Sequence, residues 1–188
     1  NLNLQDILPT WQWWITSTDD NRLELDWDYG SKFYRYDSNG ETYAFPYTQI
    51  GAYNGGSSLA IYGDLEAGKK QTVNLYKTDL QVLEGSKLSL TYNKISDNDL
   101  SDLALVLRFK DDPETLVVLP VSEAGQQTNG WRTVEFSLAD FAGRDIAAIG
   151  VQIACQQAVT GYQVNLGQLK LSDGQSHAPA APQNFVVD

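Results

Sequence analysis

The amino-acid sequence predicts an all-β fold, a β-sandwich of the jelly-roll type, from three observations. Apolar and polar residues alternate with a period of two along most of the chain, as in segment 88–92, and this pattern is typical of a strand with one buried face. Turn-forming pairs such as Asn129-Gly130 separate these segments. No long segment has the 3.6-residue period of a helix. The resulting nine or ten strands are typical of two packed sheets.

The predicted elements follow one another with turn residues between them. In chain order the strand segments are 22–28, 57–62, 71–78, 88–92, 103–110, 115–120, 133–138, 149–154 and 162–172. Segment 137–141 is predicted to form one helical turn, because Ser137 can cap it.

The last strand segment changes phase at its middle. Its apolar residues Val164 and Leu166 have even numbers, whereas Leu169 and Leu171 have odd numbers. Gly167 lies at the change, and a β-bulge there would return the apolar side chains to the core.

Size and charge exclude several classes of protein. The 188 residues include 13 basic and 24 acidic side chains, a net charge of −11, and this excludes a nucleic-acid partner because phosphate binding needs a basic face. Cys155 is the single cysteine, which excludes an intrachain disulfide. The longest apolar run, 116–121, is far below the roughly 18 residues of a membrane helix. We therefore expect no nucleic acid and no membrane among the partners.

The domain organisation is predicted from a change in composition near the C-terminus. Residues 1–174 form the β-sandwich, which is similar to a carbohydrate-binding module, and residues 175–188 form a linker and the start of a following module. The sequence contains no Met and opens at Asn1. We therefore expect a module of a longer protein.

No catalytic residue is predicted. His177 is the only histidine and lies in the linker, which argues against Ser–His and Cys–His nucleophiles. Zincin and phosphate-loop motifs are absent from the sequence. Carboxylates are plentiful, but their clusters in turns are typical of solvated loop residues. The chain by itself is therefore predicted not to be an enzyme.

No metal ligand and no cofactor are predicted. Segment 37–41 resembles the opening of a calcium loop, but Thr48 stands where the glutamate at position 12 belongs. A turn is therefore the better interpretation. Jelly-roll modules can hold a structural Ca²⁺ with backbone carbonyls, and the sequence leaves this alternative open.

Aromatic residues are concentrated near the N-terminus: 12 of the 21 lie in the first 53 residues. Sugar rings stack on aromatic planes, and their hydroxyls bind polar side chains, so this segment predicts a surface that contacts carbohydrate or a neighbouring domain. The alternative is that most of these rings fill the core. The candidate contact residues are Trp11, Trp13, Trp14, Trp27, Asp28, Tyr29 and Tyr34.

Segment 4–14, Leu-Gln-Asp-Ile-Leu-Pro-Thr-Trp-Gln-Trp-Trp, resembles the segment that follows the catalytic barrel in glycoside hydrolase family 85. Segments 53–61, 73–78 and 162–167 resemble the β-sandwich beside that barrel. The resemblance covers roughly residues 4–173. It implies a fold like that of galactose-binding domains.

The resemblance also implies a functional context. Family 85 enzymes are endo-β-N-acetylglucosaminidases that cleave between the two core GlcNAc residues of N-glycans, with an Asn and a Glu of the (β/α)₈ barrel. This chain is too short and too rich in strands to contain that barrel. The expected partners are therefore the catalytic barrel and a downstream module of the same protein, together with an N-glycan. The expected location is extracellular or at the cell surface, in a bacterium.

Three functions remain open on the sequence. The first is an accessory β-sandwich of such an endoglycosidase, supporting the barrel and contacting glycan. The second is an autonomous carbohydrate-binding module, and the third is a structural or adhesive cell-surface module.

Overall fold

The structure is a computed structural model that describes residues 14–17, 21–26, 33–36, 42–45, 59–68, 70–94, 102–121, 127–128 and 130–176. The prediction of an all-β fold is confirmed, since the described residues form thirteen strands and one 3₁₀ turn and contain no α-helix. The strands are β1 Trp14–Ser17, β2 Leu23–Asp26, β3 Phe33–Tyr36, β4 Thr42–Phe45, β5 Leu59–Leu65, β6 Lys70–Lys77, β7 Lys87–Lys94, β8 Asp102–Phe109, β9 Asp112–Pro120, β10 Gln127–Thr128, β11 Trp131–Ser137, β12 Ile146–Ala154 and β13 Val159–Ser172.

The larger sheet has nine strands within the described part of the chain. Its main order is β10-β11-β7-β13-β5-β3-β4, and β1 joins it through β2, which pairs with β13. All its pairs are antiparallel except β3 with β5. The 14-residue strand β13 lies at its centre.

The bulge predicted at Gly167 is confirmed. The pairing of β13 with β7 shifts between Leu166 and Gln168. On the other side of β13, the neighbour before the bulge is β5, with Leu166 opposite Leu59, and the neighbour after it is β2, with Gln168 opposite Asp26. The bulge keeps Leu166 and Leu169 in the core, and it lies where β13 exchanges one partner for another.

The smaller sheet has four antiparallel strands in the order β6-β12-β8-β9. Leu105, Ile149 and Val151 of this sheet and Leu90 and Leu166 of the larger sheet belong to one buried cluster. The two sheets therefore enclose a common hydrophobic core, as expected for a sandwich.

Local predictions near two turns need correction. A 3₁₀ turn forms at Ala139–Phe141, but its N-cap is Leu138 and no side chain caps it. The Ser137 hydroxyl is only a distant acceptor, 3.4 Å from the Ala139 nitrogen. Strand β9 begins at Asp112, three residues before the predicted segment 115–120, and so includes Pro113. Proline is tolerated there because no described strand pairs with the other side of β9.

No helix in the described ranges has both the length and the apolar composition that a membrane span requires.

Candidate functional site

Seven uncharged side chains cluster on the outer side of the nine-stranded sheet. They come from β7, β11 and β13, the central strands of that sheet, and alternate along each strand with residues that point into the core. We call this surface the polar face. Its residues are Thr91, Asn93, Trp131, Thr133, Gln163, Asn165 and Gln168.

Strand pairing aligns these residues in two rows across the sheet. In the first row Gln168 lies opposite Thr91, which lies opposite Thr133. In the second row Asn165 lies opposite Asn93. Neighbours in such rows are close enough for their side chains to interact.

Most of the polar face is buried. Asn165 is 0% exposed, Thr91 2% and Trp131 4%. Trp131 is nevertheless outside the buried apolar cluster between the two sheets, in agreement with its position on the outer side. The neutral groups thus form a largely buried layer. Buried polar groups need hydrogen-bond partners, so we expect hydrogen bonds within this layer.

Specific hydrogen bonds join the layer. The hydroxyl oxygens of Thr91 and Thr133 lie 2.8 Å apart and share a hydrogen bond. The Gln163 amide donates to the Asn165 side-chain oxygen over 2.9 Å. Gly130 has a φ of +84°, and a Cβ there would lie 3.0 Å from the Asn93 amide nitrogen, so the turn before β11 packs directly against the second row.

Backbone register extends both rows toward the N-terminal strands. Asp26 lies opposite Gln168, and Trp14 lies opposite Asp26. Ala60 lies opposite Asn165, and Arg35 lies opposite Ala60. Trp14, one of the positions that the sequence singles out for carbohydrate contact, therefore shares register with the polar face.

Two of the seven predicted contact residues, Trp14 and Tyr34, lie in described strands. The backbone of Trp14 is in the first row, and Tyr34 lies opposite Leu59, a fully buried core residue. The other predicted contact residues lie outside the described residues: Trp11, Trp13, Trp27, Asp28 and Tyr29.

Sequence analysis missed the polar face because each of its residues is ordinary on its own. One signal was available in the sequence. The outward-facing positions of β7 hold Thr91 and Asn93, whereas Lys or Glu is usual at such positions on a solvated face. Charged residues lie close to these positions. Exposed Glu135, two residues after Thr133 in β11, forms an ion pair with exposed Lys87 at 3.4 Å, and Asp26 and Arg35 stand in line with the two rows.

The chemistry available at the polar face is hydrogen bonding. The exposed Thr133 hydroxyl and the half-buried amides of Gln163 and Gln168 donate and accept hydrogen bonds, whereas the Trp131 indole is buried within the layer. In the described ranges, no group of three or more His, Cys, Asp or Glu side chains is placed to hold a metal ion. The accessible groups of the polar face are therefore neutral hydrogen-bonding groups.

Removing either partner of the Thr91–Thr133 hydrogen bond is expected to lower stability by different amounts. Thr133→Val leaves the buried Thr91 hydroxyl without its partner and should lower the free energy of unfolding by about 1–2 kcal/mol. Thr91→Val leaves only the exposed Thr133 hydroxyl, which water can satisfy, and should cost about 0.5 kcal/mol. Urea unfolding of both variants and of the double variant measures this, and a double variant less stable than Thr133→Val would contradict it.

A charged cluster closes one end of the sandwich, away from the polar face. The Arg144 guanidinium donates two hydrogen bonds to the Asp111 carboxylate, at 2.9 and 2.7 Å, and lies 4.1 Å above the ring of Phe109. The hydrogen bonds from Arg144 hold the pKa of Asp111 below its ordinary value. Because this geometry joins two loops and covers a core ring, its role is structural.

Asp111→Asn should change the pH dependence of stability. Since the native pKa of Asp111 is lowered, its contribution is fully present above the ordinary Asp pKa of about 3.9 and is lost as the pH falls through the lower native value. The variant should be less stable than wild type at pH 6 and should approach it near pH 2. Thermal unfolding across this range measures the difference, and parallel curves would contradict the expectation.

The chain is similar in sequence and structure to part of a known glycosidase. The chain is similar, at 29% identity and a TM-score of 0.55, to part of the glycoside hydrolase domain of Endo-D from Streptococcus pneumoniae R6. The match covers 90% of this chain and 23% of that one, so this chain spans about a quarter of its relative's length. The chain therefore resembles a module associated with a glycosidase.

A second structure, AlgX from Pseudomonas aeruginosa, matches 59% of this chain and 25% of its own at 14% identity, with a TM-score of 0.33. That similarity is too low to bear on fold or function. No protein-family model and no curated protein matches the chain.

Proposed function

We propose that this chain is a non-catalytic β-sandwich module of an endo-β-N-acetylglucosaminidase of glycoside hydrolase family 85. The observation that carries the proposal is the 29% identity, over 90% of the chain, to part of the Endo-D glycoside hydrolase domain. The family-like segment 4–14 supports it independently of the structure. A jelly-roll arrangement like that of galactose-binding domains is the finer fold that goes with this proposal.

In this proposal the module supports a catalytic barrel of the same polypeptide. The described residues supply neutral hydrogen-bonding groups and an indole rather than a metal-binding carboxylate cluster, and such groups suit packing or glycan contact. The proposed setting is an extracellular or surface-attached bacterial enzyme that acts on N-glycans, with a further module downstream.

The test is a comparison of this chain with the full-length protein that contains it. The chain alone should release no glycan from a high-mannose glycoprotein, whereas the full-length protein should release glycans that retain one GlcNAc. Mass spectrometry of the released glycans measures both. Glycan release by the chain alone, or a full-length protein without endoglycosidase activity, would overturn the proposal.

A second candidate function is autonomous carbohydrate binding, and the polar face is the observation that favours it. The uncharged amides and hydroxyls of this face match the needs of a neutral sugar, whose hydroxyls exchange hydrogen bonds with such groups. Thr133 is exposed and Gln163 and Gln168 are half-buried, so these three residues would be the accessible part of the surface.

Calorimetric titration with high-mannose glycan, chitobiose and galactosides tests this candidate. Thr133→Arg places a long cation on the exposed part of the polar face and should weaken binding at least tenfold. Gln157→Arg makes the same charge change at an exposed turn between β12 and β13 and should leave binding unchanged. The absence of binding by the folded wild-type chain at millimolar sugar would remove this candidate.

A further inference from the structure

The edge strand β9 exposes apolar side chains. It pairs with β8 on one side, and no described strand lies on its other side. Five of its nine residues are exposed. Val118 is 41% exposed, which makes it the exposed large hydrophobic side chain of the described part of the chain.

An edge of this kind offers unpaired backbone N–H and C=O groups to another strand. Native proteins usually blunt such edges with charge or proline. Along β9, the prolines Pro113 and Pro120 stand near the two ends, whereas the segment Thr115 to Leu119 contains no charged residue, proline or glycine. The central segment is therefore competent to pair.

The composition of β9 also suits pairing with itself. In an antiparallel arrangement about a two-fold axis at Val117, Leu116 of one chain lies opposite Val118 of the second copy. Glu114 then lies opposite Pro120 of the second copy and not opposite a carboxylate. Acidic residues of the two strands are thus kept apart, and the exposed Val118 gains an apolar neighbour.

We propose that two copies of this chain associate through antiparallel pairing of β9, which joins the two four-stranded sheets into one eight-stranded sheet. This proposal is independent of the glycosidase proposal above. A single pair of strands buries less surface than a standard interface, so the association is weak. Each copy carries a net charge of −11, so added salt should favour the dimer by screening their repulsion.

Sedimentation equilibrium from about 10 μM to 1 mM tests the association. The average mass should rise from 20.9 kDa toward twice that value, and further at 0.5 M than at 0.05 M NaCl. Val118→Lys places a charge at the pairing surface and should abolish the increase. Gln157→Lys makes the same charge change at an exposed turn away from β9 and should leave it intact.

Amide hydrogen exchange of the wild-type chain gives a readout that needs no variant. Raising the concentration from 20 μM to 1 mM should slow exchange in residues 114–119 selectively. A monomer at 1 mM in 0.5 M NaCl would overturn the proposal. So would a dimer that Val118→Lys leaves unchanged, or a dimer whose protection lies outside β9.

Discussion

Phe109→Ala is expected to lower the free energy of unfolding by about 3–5 kcal/mol. Phe109 is 0% exposed, its ring centroid lies 5.2 Å from that of Phe141 in a stacked arrangement, and the Arg144 guanidinium carbon lies 4.1 Å from the same centroid. Alanine would leave a cavity that the strands of a sandwich cannot close, and it would remove both the stacking and the cation–π contact.

Urea unfolding followed by tryptophan fluorescence measures this effect. Val118→Ala in the adjacent strand is the control, because Val118 is 41% exposed and its truncation should change stability by only about 0.5 kcal/mol. A loss below about 1 kcal/mol for Phe109→Ala would show that the end of the sandwich is not packed as described.

The fold was predictable where alternation is clean. In β7 the apolar residues Leu88, Leu90 and Tyr92 are all buried, and a period of two suffices to place such a strand. By contrast, the sequence analysis did not predict β3, Phe33–Tyr36, because aromatic residues flank Arg35 on both sides and mask the period. It also missed β1, β4 and β10, which have four residues or fewer and carry too little pattern.

The bulge at Gly167 illustrates the limit of local reasoning. The alternation of apolar residues changes phase between Leu166 and Leu169, and the structure has the bulge at that point. The exchange of partner strands at the same point, from β5 to β2, was not predictable from local pattern. It depends on pairing between segments that are more than one hundred residues apart, which no short-range signal specifies.

The candidate site shows the same limit more strongly. Aromatic density directed attention to the N-terminal segment, whereas the polar face is assembled from three distant strands. Thr91 and Thr133, which share a hydrogen bond, are 42 residues apart. Only strand register makes neighbours of such residues, and the register is fixed by the core on the opposite side of the sheet. Of the residues predicted for carbohydrate contact, Trp14 has its backbone in the first row of the polar face.

Gly174→Ala is expected to be the second severe substitution. Gly174 has a φ of +78°, and a Cβ there would collide with the backbone carbonyl oxygen of Gly85. The left-handed conformation alone costs a side chain about 1–2 kcal/mol. Backbone cannot move aside as a flexible side chain can, so the steric term adds about 1–3 kcal/mol. The total loss of stability should be about 2–5 kcal/mol.

Gly143→Ala is the matched control for Gly174→Ala. Gly143 has a similar φ of +87°, but a Cβ there would meet nothing within 4 Å. This variant should therefore show the conformational cost without the steric one, and urea unfolding of the two variants side by side separates the two contributions. Equal losses would mean that the contact between Gly174 and Gly85 adds nothing to the conformational cost. A larger loss for Gly174→Ala would show that the end of β13 is fixed by backbone contact with the loop before β7.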